Sequence, residues 1–473
     1  MQIVNTKEYT SKIKQLVEGK NKKYFILTMG CQLNENDSEK IAGMLEEAGY
    51  TKASDEKDAD IIVFNTCCVR ENAEDRLFGK LGEAKKYKEA KGTILAIGGC
   101  MMQEKIMTDK IKQSYPFVDI VFGTHTMEHL PENLYKVLTN NKRIQDILDI
   151  DGEVYEGLPI VREDKYRASV TIMYGCNNFC TFCIVPYVRG RERSRCPQNI
   201  VDEIVDLAEN GYKEITLLGQ NVNSYLVSEK KNKKNYEFEV ELYGNKYTVN
   251  SFATLLRVVN EIKGIERVRF VSPHPKDFTD DVISAIKECD KICKVIHLPL
   301  QAGSTKILKA MNRVHSKEEF IDLANKIKTE IPDAKFTTDI IVGFPGETEE
   351  DFEDTLDVVR KVEFEQIYMF IYSRRHGTPG DKMPNQVDEK VKHERFDRLK
   401  ALYEEQVAEN NKRYIGTVQK IFVEGRSKTN ENTLTGRTES NKIVNFEGSD
   451  DLIGNMIDIK ITEEHMWYLT GQI

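Results

Sequence analysis

The residues best suited to chemistry in this sequence are Cys176, Cys180 and Cys183, which have the spacing C-x3-C-x2-C. Thiolates are soft ligands that suit iron–sulfur clusters, and short spacers let one loop hold a single cluster. A [4Fe–4S] cluster held by only three cysteines keeps one iron without a protein ligand, open to a substrate or cofactor. The alternatives are a zinc loop, for which no neighbouring Cys or His supplies the fourth ligand, and a chance spacing.

Three more cysteines each follow a predicted β-strand in the N-terminal part of the chain. They are Cys31 after strand 24–29, Cys67 after strand 61–65 and Cys100 after strand 93–97. In open α/β sheets, ligands collect at the carboxyl edge of the strands, and neighbouring strands lie about 4.8 Å apart. Two interpretations follow: three thiols that converge on one cluster, or three buried and inert cysteines.

The elements that must position these cysteines predict an α/β chain of three modules. Apolar strands alternating with amphipathic segments indicate an N-terminal α/β domain with a parallel sheet. Six strand–helix repeats, from strand 169–174 to strand 366–372, predict a central partial (β/α)6 barrel with its active site at the carboxyl ends of the strands. After a helix over 391–409, short strands separated by turns predict a small antiparallel β-barrel.

The predicted boundaries divide the chain into five segments. They are a polar N-terminal extension (1–21), the N-terminal domain (22–140), a linker (141–161), the central domain (162–392), and a linker helix with the C-terminal barrel (393–473). Within the central domain, residues 227–250 form a Lys-rich loop and a short hairpin that turns at Gly244-Asn245. We interpret this stretch as a surface insertion.

A longer motif around the central cysteines is similar to that of a known superfamily. In the run 174–195, YGCNNFCTFCIVPYVRGRERSR, the aromatic Phe182 stands just before the last cysteine. The cysteine spacing resembles the radical S-adenosylmethionine (SAM) superfamily. The longer run resembles the methylthiotransferases within it, most closely those that modify dimethylallyladenosine in tRNA. Segments 29–34, 65–70 and 98–101 resemble the N-terminal methylthiotransferase domain, and 436–442 resembles the RNA-binding TRAM module.

This resemblance implies two [4Fe–4S] clusters and two SAM molecules with different fates. The implied ligands are Cys31, Cys67 and Cys100 for an auxiliary cluster, and Cys176, Cys180 and Cys183 for a radical SAM cluster. One SAM methylates sulfur on the auxiliary cluster, and the other is cleaved to a 5′-deoxyadenosyl radical. The implied reaction places a methylthio group on carbon 2 of N(6)-dimethylallyladenosine next to the anticodon of tRNA. The hydrogen on that carbon is not usefully acidic, so a radical suits its removal better than a general base.

Cys68 is an extra cysteine beside this set, at a position where the family commonly has a small residue. Neighbouring side chains of an extended chain point to opposite faces. We therefore expect Cys67 to be the ligand and Cys68 to be a bystander.

Residues that follow the barrel strands are candidates for contacting SAM, because in the methylthiotransferases these loops line the SAM and substrate pocket. Amides there suit ribose or amino-acid groups, and glycine permits a tight turn. The residues implied are Phe182, Gln220, Asn221, Gly343 and Glu347. His274 and His297 also lie at strand ends, where a direct role and an ordinary capping or core role are both open.

Arginines alternate immediately after the central cysteines, at Arg189, Arg191, Arg193 and Arg195. In an extended chain they face one side, and guanidinium groups suit phosphate. We therefore expect Arg189, Arg191 and Arg193 to contact RNA. The alternative, which also applies to Arg267 and Arg269 on the third barrel strand, is a salt-bridged barrel rim.

The C-terminal barrel is the second candidate surface for RNA. Residues 412–442 carry seven basic and three acidic side chains, whereas residues 443–473 carry one basic and six acidic side chains. This polarity favours a basic, RNA-facing edge that includes Arg437, although the net charge of the whole chain is −9.

Composition predicts a cytosolic protein with no membrane association. No apolar run approaches the about 18 residues of a membrane span, and ten cysteines without a secretory signal indicate a reducing compartment. The expected partners are the tRNA anticodon stem-loop, an electron donor, and a sulfur donor or iron–sulfur assembly system. Two alternatives stay open: a sister methylthiotransferase acting on another tRNA adenosine or a ribosomal-protein aspartate, and a non-catalytic iron–sulfur RNA-binding protein.

Overall fold

A computed structural model of the chain describes residues 6–68, 73–148, 154–226, 236–428 and 430–473. It has three modules in chain order: an N-terminal sheet with helices, a central set of parallel strands with helices, and a closed C-terminal barrel. The predicted fold class is therefore confirmed. Val69 and Arg70 of the motif at 65–70, and the first part of the predicted insertion (227–235), lie outside the described residues.

The N-terminal module is a six-stranded parallel sheet with helices on both faces. Its strands are β1 Lys23–Thr28, β2 Thr51–Lys52, β3 Ile61–Thr66, β4 Ile94–Gly99, β5 Ile120–Phe122 and β6 Ile144–Asp146, and its helices are α1 Thr6–Val17, α2 Gln32–Glu47, α3 Ala73–Lys91, α4 Lys105–Ser114 and α5 Leu130–Asn140. The strand order is β2-β1-β3-β4-β5-β6. Every residue of β3 is buried because α1, α2 and α5 cover one face of the sheet and α3 and α4 cover the other.

Two parts of this module differ from the sequence-based expectation. Residues 6–17 of the predicted polar extension form α1, whose Ile13 and Val17 are buried in the core with α2 and α5. The short strand β6 lies inside the predicted linker 141–161 and pairs in parallel with β5. The apolar spacing of α1 is diluted by lysines, and β6 is too short to stand out from a loop.

The central module holds six parallel barrel strands and their helices. Its strands are β7 Arg167–Thr171, β8 Met173–Tyr174, β9 Arg193–Ser194, β10 Glu214–Leu218, β11 Phe238–Leu242, β12 Asn245–Val249, β13 Arg267–Phe270, β14 Val295–His297, β15 Lys335–Val342 and β16 Gln366–Ile371, and its helices are α6 Val185–Val188, α7 Pro197–Glu209, α8 Phe252–Asn260, α9 Asp280–Glu288, α10 Thr305–Ala310, α11 Lys317–Glu330 and α12 Glu349–Val362. Sheet β7-β10-β13 is joined to sheet β14-β15-β16 at Val268, whose N–H donates to the Lys291 carbonyl at 2.8 Å and whose carbonyl accepts from Cys293 at 2.9 Å. The six strands β7, β10, β13, β14, β15 and β16 therefore form one curved, open barrel. The strands β8 and β9, and β11 and β12, form two separate pairs.

The hairpin β11–β12 is the described part of the predicted insertion. Its turn is at Tyr243 and Gly244, which have φ of 52° and 79°, one residue before the predicted position. Val240, Leu242 and Val249 of the hairpin are buried in the core of the central module. This face of the insertion is therefore part of the fold and not a loose surface loop.

The C-terminal module is a five-stranded closed barrel that follows a long helix. The helix is α13 Glu389–Lys412, and the strands are β17 Val418–Arg426, β18 Thr433–Arg437, β19 Ile443–Glu447, β20 Met456–Glu464 and β21 Tyr468–Gln472. Neighbouring strands are antiparallel, as predicted, except β19 and β21, which pair in parallel. Leu399, Tyr403 and Val407 of α13 are buried against the central module and fix the approach of the barrel.

The C-terminal barrel packs against the amino ends of the central strands. Arg267, the first residue of β13, donates from Nη2 to the Lys420 carbonyl at 3.0 Å. Arg269 donates to the carbonyls of Glu439 and Thr438 at 2.7 and 3.0 Å. Arg267 and Arg269 also lie 3.3 and 3.2 Å from the carboxylate of Glu214, so the salt-bridged rim is the correct interpretation for both. The carboxyl ends, where Cys176 lies, are at the opposite edge.

None of the helices in the described part of the chain has the length and apolar character that a bilayer span requires.

Candidate iron–sulfur sites and substrate cavity

The central cysteines lie on a tight loop, residues 175–183, that follows β8; we call it the cysteine loop. Gly175 has φ of 75°, and a Cβ at this position would come within 2.0 Å of the Arg191 carbonyl, so the turn requires glycine. The Gly175 N–H donates to Oε1 of Gln220 at 2.5 Å. Cys176 and Cys180 are buried, and Cys183 is half-buried.

A second segment, just after α10, holds the far side of the cysteine loop. Asn312 donates from Nδ2 to the carbonyls of Asn178 and Phe179 at 3.0 and 3.1 Å. The buried Arg313 places Nη1 3.7 Å from Sγ of Cys180. No sequence spacing indicates this contact, because 133 residues separate the two side chains. Arg313 is therefore a site residue that sequence reasoning missed.

The chemistry of these thiols fits an iron–sulfur cluster. Burial raises the pKa of Cys176 to about 12 and that of Cys183 to about 12. Such thiols stay protonated at neutral pH unless a metal binds the thiolate. Among the residues that the structure describes, no three Cys, His, Asp or Glu side chains converge as the ligands of a single metal ion do. A [4Fe–4S] cluster binds each thiolate to a different iron, so its three cysteines do not have to converge on one metal ion.

The two amides predicted to contact SAM lie beside this loop. Gln220 holds Gly175, as described above. Asn221 is fully buried and donates from Nδ2 to Glu192 and Asp277, both at 3.0 Å. Its Oδ1 has no hydrogen-bond partner in the described part of the chain. A buried acceptor without a partner fits a site that a polar ligand such as SAM completes.

Of the other predicted SAM residues, Phe182 lies in the cysteine loop itself, and Gly343 and Glu347 lie where the barrel meets α13. The Gly343 N–H donates to Oε1 of Glu347 at 3.0 Å, and Arg395 of α13 donates to the same oxygen at 2.8 Å. A Cβ on Gly343 would lie 2.3 Å from Cγ of Lys392. Gly343 and Glu347 therefore join the barrel to α13. Phe182 packs on a neighbouring apolar cluster.

The N-terminal cysteines come together at the carboxyl ends of β1, β3 and β4, which are adjacent strands. Oδ1 of Asn34 lies 3.7 Å from Sγ of Cys31 and 3.8 Å from Sγ of Cys100. Sγ of Cys67 would lie 2.9 Å from a Cβ built on Gly30, the residue before Cys31. The three cysteines therefore lie at one edge of the sheet, close to Asn34 and Gly30. Three thiols and a glycine that leaves space beside them suit a cluster held on one side.

The expectation that Cys68 points away from this site is wrong. Cys68 packs beside Cys100, and its interaction with Cys100 is the main cause that lowers the pKa of Cys100, followed by the charge of Arg189. Both cysteines pack against Ile184 and Val188. Strand β3 ends at Thr66, so the alternation of an extended chain does not continue through 67 and 68.

The alternating arginines do not share one face, because Gly190 adopts φ of 75° and only residues 193–194 form a strand. Arg189 is buried against the N-terminal module, so its predicted contact with RNA is wrong. Arg195 is buried in ion pairs with two glutamates at 2.7 and 2.8 Å. Arg193 donates to the carbonyls of Arg191 and Arg189, both at 3.2 Å. Arg191 is exposed.

Arg191 belongs to a surface beside the cysteine loop that we call the aromatic–arginine patch (Phe179, Tyr187 and Arg191). Its guanidinium lies 4.3 Å from the Phe179 ring centroid, and the Phe179 and Tyr187 rings are 5.8 Å apart. Arg437, the other arginine predicted to bind RNA, is half-buried and pairs with Glu424 at 3.0 Å.

All three modules line one cavity of about 980 Å³ inside the barrel. Its lining includes Cys31 from the N-terminal module, His297, Asp339 and Tyr368 from the barrel strands, and Arg437 from the C-terminal module. The volume is at the upper end of the about 300–1,000 Å³ that small-molecule sites occupy. The cavity therefore extends from the barrel interior to Cys31 of the N-terminal module.

The two strand-end histidines differ in position. His297 lines the cavity, contacts Oγ1 of Thr337 at 2.9 Å, and has its ring 6.0 Å from the Tyr368 ring. His274 does not line the cavity; burial lowers its pKa strongly, and its Nδ1 accepts from the Lys276 N–H at 3.2 Å. His274 therefore has a capping role.

Comparison with protein families matches each module. Residues 23–123 match a family described as "Uncharacterized protein family UPF0004", residues 170–359 match the Radical SAM superfamily, and residues 412–473 match the TRAM domain.

Among curated proteins, the chain is 52% identical over 460 residues to the tRNA-2-methylthio-N(6)-dimethylallyladenosine synthase of Clostridium beijerinckii, covering 97% of both chains. It is 53% identical over 456 residues to the protein of the same name from Clostridium tetani, covering 96% of this chain and 97% of that one. Among solved structures, the radical SAM methyltransferase TsrM from Kitasatospora setae aligns with a TM-score of 0.52 at 13% identity, over 73% of this chain and 72% of that one. This last likeness concerns the fold alone.

Proposed function

Because the chain belongs to the radical SAM methylthiotransferase family, we propose that it adds a methylthio group to carbon 2 of N(6)-dimethylallyladenosine next to the anticodon of tRNA. The cofactors are two [4Fe–4S] clusters and SAM. We assign the auxiliary cluster to Cys31, Cys67 and Cys100 and the radical cluster to the cysteine loop.

The observation that carries this proposal is the contact between the segment after the cysteine loop and the N-terminal cysteine site. Ile184 directly follows Cys183, and with Val188 it packs against Cys100 of the N-terminal module. An enzyme that removes a hydrogen at one cluster and supplies sulfur at another needs the two to be neighbours, because the substrate atom must be within reach of both.

The side chains of the protein bind the cofactors, hold the cysteine loop in its orientation and shield the site from water. When bound, the two clusters and SAM supply the radical, the sulfur and the methyl group. Gln220 and Asn312 hold the cysteine loop in place, Asn221 offers its free Oδ1 to SAM, and Ile184 and Val188 keep water from the space between the cysteine sites.

We propose that the modified base enters the cavity with its ring against Tyr368. Bases in single-stranded loops are usually splayed out and stacked on aromatic side chains. Tyr368 is 41% exposed on the strand at the open side of the barrel. The aromatic–arginine patch lies beside the cysteine loop and suits the flanking nucleotides of the anticodon loop. Trp467, 62% exposed on the C-terminal barrel, offers a second stacking surface.

The proposed setting is the cytoplasm, where tRNA is available and thiols stay reduced. The reaction also requires an electron donor and a sulfur donor or iron–sulfur assembly system, which we include as proposed partners.

Mass spectrometry of tRNA nucleosides tests this function. A strain that lacks the gene should lose the 2-methylthio form of dimethylallyladenosine and accumulate the form without sulfur. The wild-type gene should restore the mark, whereas Cys176→Ala and Cys31→Ala genes should not. An unchanged nucleoside profile in the deletion strain would contradict the proposal and direct attention to a ribosomal-protein aspartate.

A further inference from the structure

Arg189 links the segment after the cysteine loop to the N-terminal cysteine site through a set of short contacts. It directly follows α6, shortly after the cysteine loop, yet its guanidinium lies inside the N-terminal module. Nε lies 3.1 Å from Sγ of Cys100, Nη2 donates to Oδ1 of Asn34 at 2.8 Å, and Nη1 lies 2.7 Å from Oδ2 of Asp37. All three nitrogens of the guanidinium are therefore used, each on a different residue.

Burial makes these contacts energetically important. Arg189 and Asp37 have side chains only 6% and 9% exposed, and a buried charge is tolerated only when it is paired and hydrogen-bonded. Asp37 neutralises Arg189 in the protein without a cluster. A cluster held by three thiolates adds further negative charge at Cys31 and Cys100, which also attract the guanidinium.

Asn34 holds the rest of this arrangement rigid. It donates from Nδ2 to the carbonyls of Met29 and Thr66 at 2.9 and 2.8 Å. Met29 lies two residues before Cys31, and Thr66 directly precedes Cys67. Its Oδ1 accepts from Arg189. The guanidinium is thus positioned by the backbone ends that also position the cysteines.

We propose that Arg189 is a positioning residue of the auxiliary cluster, supplied by the central module. It donates a charge-assisted hydrogen bond to the Cys100 sulfur, retains the cluster and raises its reduction potential, with Asp37 as an opposing charge. The auxiliary site is complete only when the central module is packed against it. This inference rests on the proposed assignment of Cys31, Cys67 and Cys100 as ligands.

The test uses the full chain with the three cysteines of the cysteine loop replaced by alanine, so that only the auxiliary cluster is reconstituted. In this background we compare Arg189→Gln, Arg189→Lys, Asp37→Asn and the Arg189→Gln/Asp37→Asn double variant. Arg191→Gln, an exposed arginine close by in the chain, is the matched control. The readouts are bound iron, the rate of iron release to a chelator, and the midpoint potential followed by electron paramagnetic resonance.

We expect Arg189→Gln to release iron about tenfold faster than Arg191→Gln, since partners that orient cluster ligands typically contribute about 10–100-fold in metal affinity. The rate of iron release from Arg189→Lys should lie between the rates of these two variants. The potential should fall in Arg189→Gln, rise in Asp37→Asn and return toward the background value in the double variant, which buries no unpaired charge. A purely structural role would not move the potential in opposite directions.

Two results would overturn the inference: equal iron release from Arg189→Gln and Arg191→Gln, or potentials of Arg189→Gln and Asp37→Asn that shift together or not at all. If Arg189→Gln loses its iron before its potential is measured, the potentials of Asp37→Asn and of the double variant decide whether the inference holds. If the background variant itself binds no iron, the ligand assignment fails, and the inference fails with it. That result is distinguishable because it appears before any change at Arg189.

Discussion

Replacing Glu347 by glutamine separates two roles for this residue. The resemblance implies a contact with SAM, whereas the structure places its carboxylate between Gly343 and Arg395 of α13. The side chains of Glu347 and Arg395 are only 2% and 6% exposed. We expect Glu347→Gln to destabilise the contact between the barrel and α13 and to leave SAM binding in place.

The magnitude follows from burial of the pair. Removing one partner of a buried ion pair typically costs about 3–5 kcal/mol, because the other charge is left uncompensated. Arg395 keeps a second carboxylate, Glu349, at 3.5 Å, so we expect the low end, about 3 kcal/mol. For a folding unit of about 150–250 residues this lowers Tm by about 6–12 °C.

Thermal unfolding and SAM binding, measured on the reconstituted protein, check this prediction. The control is Glu349→Gln, since Glu349 is 57% exposed and its ion pairs should contribute about 0–1 kcal/mol. Weaker SAM binding by Glu347→Gln with an unchanged Tm would refute the structural role and favour the role implied by the resemblance.

Three further predictions concern RNA, pH and cluster loading. Arg191→Glu should weaken tRNA binding and reduce the slope of log affinity against log salt by about 1, measured by filter binding at several salt concentrations, because one exposed phosphate contact is lost. Burial raises the pKa of Glu128 from 4.5 to about 7, so the folded protein loses stability as pH rises from the lower value to the higher. Glu128→Gln should therefore be up to about 3 kcal/mol more stable than the wild type at pH 8 and no more stable at pH 4. Urea unfolding at the two pH values measures this difference. Cys67→Ala should lose about four irons per chain, whereas Cys68→Ala should retain them, measured by iron analysis after reconstitution.

Each of these predictions has a clear contradicting result. An unchanged salt slope for Arg191→Glu would remove that side chain from the RNA surface. A stability difference for Glu128→Gln that is the same at both pH values would show that packing, and not ionisation, is responsible. Loss of iron from Cys68→Ala with retention in Cys67→Ala would exchange the two assignments.

The placement of the cysteines at the strand ends could be predicted because it depends on local rules. Parallel strands in register bring their carboxyl ends together, and Thr28, Asn65 and Gly98 are indeed aligned across β1, β3 and β4. The short spacers of the cysteine loop confine its thiols whatever the rest of the chain does. Hydrophobic periodicity likewise predicts β10 and α12 closely.

The contacts between modules were not predictable in the same way. The alternation of arginines predicts that Arg189 contacts RNA, but the left-handed Gly190 ends that alternation. The ion-pair partner of Arg189 is Asp37, which is 152 positions away in the chain. Cys68 was misplaced for a similar reason, since the strand ends before it. A sequence pattern predicts the helix, strand or loop to which a residue belongs. The roles of these residues depend instead on contacts with side chains of another module.

The position of the C-terminal barrel has a consequence for the choice of RNA. It packs at the amino ends of the central strands, while the aromatic–arginine patch lies by the loop at their carboxyl ends. The longest of these strands, β15, has eight residues, which span about 26 Å at about 3.3 Å per residue. An RNA that touches both surfaces has to extend along the full height of the barrel while one base turns inward. Binding at both surfaces would therefore depend on the length of the hairpin, and a truncated stem with the correct loop sequence would reach only one of them.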